Sequence, residues 1–298
     1  MAFLAAVCAV PLALLFIWMR FVEPYRYQIS KHQGKIRKNL PRELRVLHLS
    51  DIHFSKPDAR LSAFFDRLAR EPCDFVFITG DIIDCIEGVP ACAENLAKLK
   101  PAHGIFAVYG NHDYYNYHLS ELILHNFPGQ RFPKNHQHVH LLDAALRDIG
   151  VRVLKNETVE IDWHGVPLLI HGLDDPTSRR ANLRKAMQHF DREKVNVLLT
   201  HTIDAFIEIG RNEIDLAFSG HSHGGQICLP FWGPLLTHTI MGRKFASGFL
   251  SHKGALCSVS RGIGTSRFAP VRLLCLPEAL LISYATLDSR GSSGGHVN

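Results

Sequence analysis

The chain sets polar residues of metal-binding type at the ends of short apolar runs, and it does so five times in order. RVLHLS runs into Asp51 and His53, FVFITG into Asp81 and Asp84, and IFAVYG into Asn111, His112 and Asp113. NVLLT runs into His201, and DLAFSG into His221 and His223. Runs of this length, rich in β-branched and aromatic residues, read as buried strands. Strands alternating with stretches of helical period specify an α/β protein. In open α/β sheets the ligand crevice lies beyond the carboxyl ends of the strands, so the five loops are expected to converge on one face. A lone Asp-x-His is ordinarily a capping carboxylate beside a partly buried histidine; five such elements in series make one site.

Expected strands cover 45–49, 74–78, 105–109, 166–171, 195–200, 214–219, 255–260 and 279–285. Leu61, Phe64, Phe65 and Leu68, and again Leu183, Ala186, Met187 and Phe190, fall at the i, i+3, i+4, i+7 spacing of core-facing helices. Carboxylate, imidazole and amide donors without thiolate suit divalent manganese, iron, zinc or magnesium. Two such ions about 3.5–4 Å apart, one carboxylate bridging them, offset charge on phosphate oxygens and supply hydroxide near neutral pH.

The ordered elements Asp51-Ile52-His53, Gly80-Asp81-Ile82-Ile83-Asp84, Gly110-Asn111-His112-Asp113, His201 and Gly220-His221-Ser222-His223 resemble the signature of the calcineurin-like metallophosphoesterase superfamily over residues 45 to 285. The resemblance implies an αββα sandwich of four layers, two mixed β-sheets flanked by helices. It implies that Asp51, His53 and His223 bind one metal, that Asn111, His201 and His221 bind the other, and that Asp81 bridges them. His112 is then left to donate to the leaving-group oxygen, with Asp113 orienting its ring and Asp84 supporting the ligands. Gly220-His221-Ser222-His223-Gly224 also fits the G-x-S-x-G pattern of serine hydrolases, but Gly225-Gln226-Ile227-Cys228 and the residues beyond look like turn and strand rather than the required helix.

The formal charge is +5, and Arg20, Arg26, Lys31, Lys35, Arg37, Lys38, Arg42 and Arg45 against Glu23 and Glu43 put +6 within residues 20–45. A near-neutral body does not suit nucleic acid as a partner. Residues 2–19 carry no charge and precede the basic run, which places residues 1–22 as an uncleaved anchor in the inner membrane, 23–44 as a basic linker and the catalytic domain, 45–287, on the cytoplasmic side. Cys73, Cys85, Cys92, Cys228, Cys257 and Cys275 follow no zinc or disulfide spacing and read as reduced thiols. Residues 288–298 read as a disordered tail.

Residues 114–140 fit neither a continuous strand nor a continuous helix and read as a lid over the site, with His136, His138 and His140 in a solvated loop. GHSHGGQICLPFWGP, SRGIGTSRFAPVR and the early EP-Y resemble a membrane-linked branch of the superfamily that includes UDP-2,3-diacylglucosamine pyrophosphatases of lipid A synthesis. That resemblance implies a lipid-linked nucleotide as substrate, a bilayer as partner and no obligate protein partner. Apolar residues of 114–140 and 229–249 would hold acyl chains, and Arg131, Lys134, Arg243 and Lys244 would pair with phosphate.

Overall fold

A computed structural model describes residues 2–117 and 136–287, with side chains of the first helix described from residue 9 onward. The tail at 288–298, Arg131, Lys134 and most of the expected lid lie outside the described residues. The eight expected strands all form: β2 (Leu44–Leu49), β3 (Phe75–Thr79), β4 (Ile105–Val108), β7 (Val166–Gly172), β8 (Val195–Leu199), β9 (Leu216–Ser219), β13 (Ala255–Val259) and β14 (Glu278–Thr286). Six more join them: β1 (Gln28–Ile36), β5 (Val151–Val153), β6 (Glu157–Trp163), the two-residue β10 (Cys228–Leu229) and β11 (Gly233–Pro234), and β12 (Gly248–His252).

Two six-stranded mixed sheets result, ordered β1-β14-β2-β3-β4-β5 and β12-β13-β9-β8-β7-β6. In the first, β2 to β5 run parallel and β14 opposes β2; in the second, β7, β8, β9 and β13 run parallel between antiparallel edges. Every residue of β3 and β8 is buried, as expected of strands covered on both faces. Phe75, Phe77, Phe106, Val197, Phe218 and Tyr284 belong to the core between the sheets. Phe64, Phe65 and Leu68 of the helix Ala59–Leu68 pack on the outer face of the first sheet, and Phe206 and Phe245 belong to the cluster outside the second.

Three expectations need correction. The basic stretch 23–44 is not simply a linker, because β1 pairs in parallel with β14 from Gln28 to Ile36. Its polar, lysine-bearing sequence is that of a protected edge rather than a core strand, which hid it. The helix expected over 183–190 stops after Leu183–Ala186, where the Ala186 carbonyl accepts from Thr158 Oγ1 at 2.5 Å instead of a later turn of helix. His136, His138 and His140 are all exposed, but they do not all lie on a loop, since Val139 opens a helix to Asp148 that takes in His140.

The first helix, α1 (Ala2–Ile17), leads through helical turns at Trp18–Val22 and Glu23–Tyr25 into β1. Val10, Leu12, Leu14, Leu15, Phe16 and Ile17 are exposed along it. Among the described residues no helix is long and apolar enough to cross a membrane. The root of α1 is fastened to the domain: Glu23 is buried and accepts from Trp18 Nε1 and from the backbone N–H of Cys275, both at 2.8 Å, and Arg272 N–H donates to Met19 O at 3.0 Å.

His48, fully buried on β2, lies between Ser258 Oγ (3.0 Å) and Thr79 Oγ1 (2.8 Å) and so stitches the two sheets. Burial pulls its ring from 6.5 down to about 3. As pH falls the unfolded chain takes up this proton first, so the stability that neutral His48 contributes is whole above pH 6.5 and drains towards pH 3, at roughly 1.4 kcal/mol per pH unit. Urea unfolding between pH 7 and 4 should show His48→Gln with a shallower loss of stability, by one proton's slope, than the parent; identical slopes would mean that the ring titrates alike in both states.

Candidate metal centre

The loops after β2, β3, β4, β8 and β9 meet, as a crevice at the carboxyl ends of strands requires. Their backbones leave the strands sharply: Asp51, His53, Asp81, His221 and His223 all have positive φ, between 48° and 70°. Such conformations are uncommon for side-chain-bearing residues and gather where a site imposes them. The motif glycines make room for the turns. A Cβ on Gly110 would lie 2.3 Å from Asp81 Oδ1, and one on Gly220 would lie 2.2 Å from Asp51 Oδ2.

Two overlapping sets of donor atoms result around the strand ends, beside a third of His53, Asp84 and His112. Asp51, His53, Asp81 and His223 bring ligand atoms within 4.8 Å of one another, as do Asp81, His201 and His221. Asp81 belongs to both. Its Oδ1 accepts from the His112 N–H at 2.9 Å, while Oδ2 faces His53 Nε2 at 3.7 Å and His201 Nε2 at 3.4 Å. His223 Nε2 lies 3.6 Å from Asp51 Oδ1 and 3.2 Å from His53 Nε2, and His221 Nδ1 lies 3.0 Å from His201 Nε2. Asn111 supplies the amide: its Nδ2 donates to Tyr117 Oη at 2.8 Å, and its buried Oδ1 has no hydrogen-bond partner among the described residues. A buried acceptor left open among imidazoles and carboxylates fits a cation.

The surroundings fix which ring nitrogen faces inward. His201 Nδ1 donates to Thr79 O at 2.8 Å, leaving Nε2 for the cluster, and His53 Nδ1 lies 3.3 Å from Asp84 Oδ1 with the same effect. Burial lifts the Asp51 carboxyl above its ordinary range, reinforced by the Asp81 charge. Burial acts in the same sense on Asp81, yet His201 and His112 hold that carboxyl well below the usual range.

Asp113 does not orient His112. Its Oδ1 accepts from the N–H groups of Ile82 and Ile83 at 2.8 and 3.0 Å, and its Oδ2 accepts from Gly110 N–H at 2.9 Å, so it clamps two ligand loops together. Burial and the nearby Asp81 carboxylate push Asp113 up to about 7. The orienting carboxylate is Asp84, whose Oδ1 lies 3.2 Å from His112 Nδ1. Burial opposes its charge, but His112 and His53 hold it far below the carboxylate range. Its other oxygen meets Arg267, Nε at 3.4 Å and backbone N–H at 3.3 Å.

Other supports were not evident in the motifs. Gln137 Nε2 donates to the carbonyls of Asp84 (3.2 Å) and His112 (3.1 Å). Arg272 is fully buried and donates to the carbonyls of Arg261, Gly262 and Gly264, while Ile263 and Gly264 N–H groups donate to the carbonyls of Ser50 and Asp51. The SRGIGT segment is thus a backbone brace behind Asp51. Arg243 and Lys244, expected near phosphate, are instead exposed over the rings of Trp232 and Phe245, because the turn they form buries Phe245 in the second sheet's outer cluster.

A cleft of about 490 Å³ opens over the centre, lined by His53, Asp81, Asn111 and His112 on its floor and by Ile227, Leu235, Leu236, Ala269 and Val271 on its walls.

Residues 44–225 match the family model described as calcineurin-like phosphoesterase. The chain belongs to that family. It is 30% identical over 221 residues to the uncharacterized metallophosphoesterase YkoQ of Bacillus subtilis, covering 70% of this chain and 75% of that one. It is 26% identical over 323 residues to the UDP-2,3-diacylglucosamine pyrophosphatase LpxG of Chlamydia muridarum, covering 94% and 95%. It is 24% identical over 281 residues to the phosphodiesterase YaeI of Escherichia coli, covering 90% and 92%. This phosphoesterase is therefore a metal-dependent hydrolase of phosphoric esters, with a cluster of histidine and aspartate residues for a divalent metal.

Since one Asp84 oxygen lies within 3.3 Å of ring nitrogens of both His53 and His112, Asp84→Asn should lower kcat by about ten- to a hundredfold and leave the thermal unfolding midpoint near that of the parent. Asp113→Asn should lower that midpoint as well as kcat, because it loosens the loops. Indistinguishable phenotypes for the two would contradict this division of labour.

Proposed function

We propose that this phosphoesterase cleaves the pyrophosphate of UDP-2,3-diacylglucosamine, releasing UMP and 2,3-diacylglucosamine 1-phosphate, at the cytoplasmic face of the inner membrane. The observation that carries the proposal is the apolar wall of the cleft standing directly over the metal cluster. A purely water-soluble phosphoester gains nothing from Ile227, Leu235, Leu236 and Val271, whereas buried acyl chain gains roughly 25 cal/mol per Å². The likeness to LpxG along nearly the whole chain supports the same reading. So does α1, whose exposed apolar side chains precede Arg20 and Arg26 in the order of a membrane-held segment.

Two divalent ions, manganese foremost, would be held by Asp51, His53, His223 and Asp81, and by Asp81, Asn111, His201 and His221. When bound, they supply positive charge to the phosphate oxygens and an acidified water. The chain's own residues do the rest. Asp81 Oδ2 faces both ligand sets, and its Oδ1 is tied to the backbone so that the carboxylate stays put. His112 lines the cleft without belonging to the ligand set; Asp84 beside Nδ1 leaves Nε2 to give a proton to the departing oxygen. The named relative YaeI supports a second reading, a phosphodiesterase of broader substrate range.

Purified protein with manganese should hydrolyse bis(4-nitrophenyl) phosphate and lose that activity to a chelator. His112→Ala should lower kcat by about 10² to 10⁴, and Asp81→Ala by at least as much; undiminished activity in either would sink the assignment. Offered the UDP-linked diacyl sugar beside its deacylated analogue, the enzyme should favour the acylated one. Equal rates would leave the broader phosphodiesterase standing.

A further inference from the structure

His53 lies in the wall of two clefts, and their chemistry differs. Besides the apolar cleft, a second of about 280 Å³ also has His53 in its lining, with Arg20, Lys56 and Arg267 together with Tyr25, Asp58 and the backbone at Gly264. Three cations face one carboxylate there, and that carboxylate is engaged: Asp58 caps the helix Ala59–Leu68, its Oδ1 accepting from the N–H groups of Arg60 and Leu61 at 2.8 and 3.2 Å. Arg267 is paired with Asp84. Arg20 and Lys56 pair with no carboxylate among the described residues. Arg20 arrives from the helical turn that follows α1, rests against the Phe21 ring at 4.8 Å, and is half-buried.

Resting on the proposed function, we infer that Arg20 and Lys56 hold a second phosphoryl group, the one adjoining the phosphorus under attack, and so orient a pyrophosphate with its polar end in this cleft and its apolar end in the other. Ions held by these ligands would offset charge only at the centre, so a further anion beside His53 needs cations of its own. A guanidinium and an ammonium free of internal carboxylates meet that need through charge-assisted hydrogen bonds. The two clefts that share one ligand then read the two ends of an amphipathic molecule, and direction of binding is set by chemistry rather than shape alone.

The test uses the full chain with manganese and follows competitive inhibition of bis(4-nitrophenyl) phosphate hydrolysis by UDP-N-acetylglucosamine, which has two phosphoryl groups, and by UMP, which has one. Arg20→Gln and Lys56→Gln should each raise the inhibition constant of the former about tenfold, the loss of one charge-assisted hydrogen bond, and that of UMP less than threefold. Lys56→Arg should restore tight inhibition. Equal rises for both inhibitors, or no rise for either, would overturn the assignment. If the parent protein does not hydrolyse the aryl diester, the proposed function fails, and calorimetric titration of the manganese-loaded protein with the same two nucleotides judges the cleft by the same ratio.

Discussion

The arrangement depends on how one side chain is divided. Asp81 gives Oδ1 to the His112 N–H and turns Oδ2 into the gap between the His53 and His201 rings. A fully solvated carboxylate would rotate freely; here the strand end, the left-handed backbone at φ 49° and the absence of a Cβ on Gly110 leave it one place. The same device repeats at Asp51 and at His223, where Gly220 and Gly262 admit the neighbouring loop. Strain of this kind persists only where the surroundings over-determine it. The two sheets provide that surplus, with unbroken burial up to the last residue of β3 and β8 before the chain turns.

Behind the donor atoms assigned to the ions lies a shell that decides where those atoms point. Asp113 ties the loop after β3 to the loop after β4, Asp84 holds two imidazoles, and Arg272 gathers carbonyls of the segment that supports Asp51. A buried guanidinium with carbonyls as its partners is costly to place, and it is sustained by satisfying several of them at once. The cationic side chain also stands near Asp51, and its charge works against the burial that lifts that carboxyl.

The strands and the donor residues are legible because their information is local: an apolar run, then a glycine, then a polar triplet. Eight strands and the converging loops come from that pattern alone. Hidden from it is information that exists only between distant segments. Asp113 stands next to His112 in sequence, and adjacency suggests that it orients the ring, yet at the end of a short helical turn its carboxylate points back at Gly110 and across to Ile82 and Ile83. Asp84, on the loop after β3, is the partner because β3 and β4 are neighbours. Arg243 and Lys244 lie over rings outside the cleft lining for a related reason, since charge in sequence says nothing of which ring it will cover. β1 is hidden by its polar composition, and β6 by lying at the far edge of the second sheet, although His164-Gly165 at positive φ is the signature of the tight turn that pairs it with β7.

The N-terminal segment then changes meaning. Taken as sequence it is an apolar stretch followed by charge, something apart from the catalytic body. In the folded chain, Glu23 joins Trp18 to the Cys275 backbone, and the Cys275 thiol donates in turn to the His223 carbonyl at 3.1 Å. Between the root of α1 and a candidate metal ligand there are thus only two residues. Arg20 lines a cleft beside His53, and Met19 accepts from the backbone of the same Arg272 that braces Asp51. Whatever α1 contacts, its base forms part of the wall of the site, so the orientation of that helix and the approach of a phosphoester to the metal ligands are set by the same few hydrogen bonds.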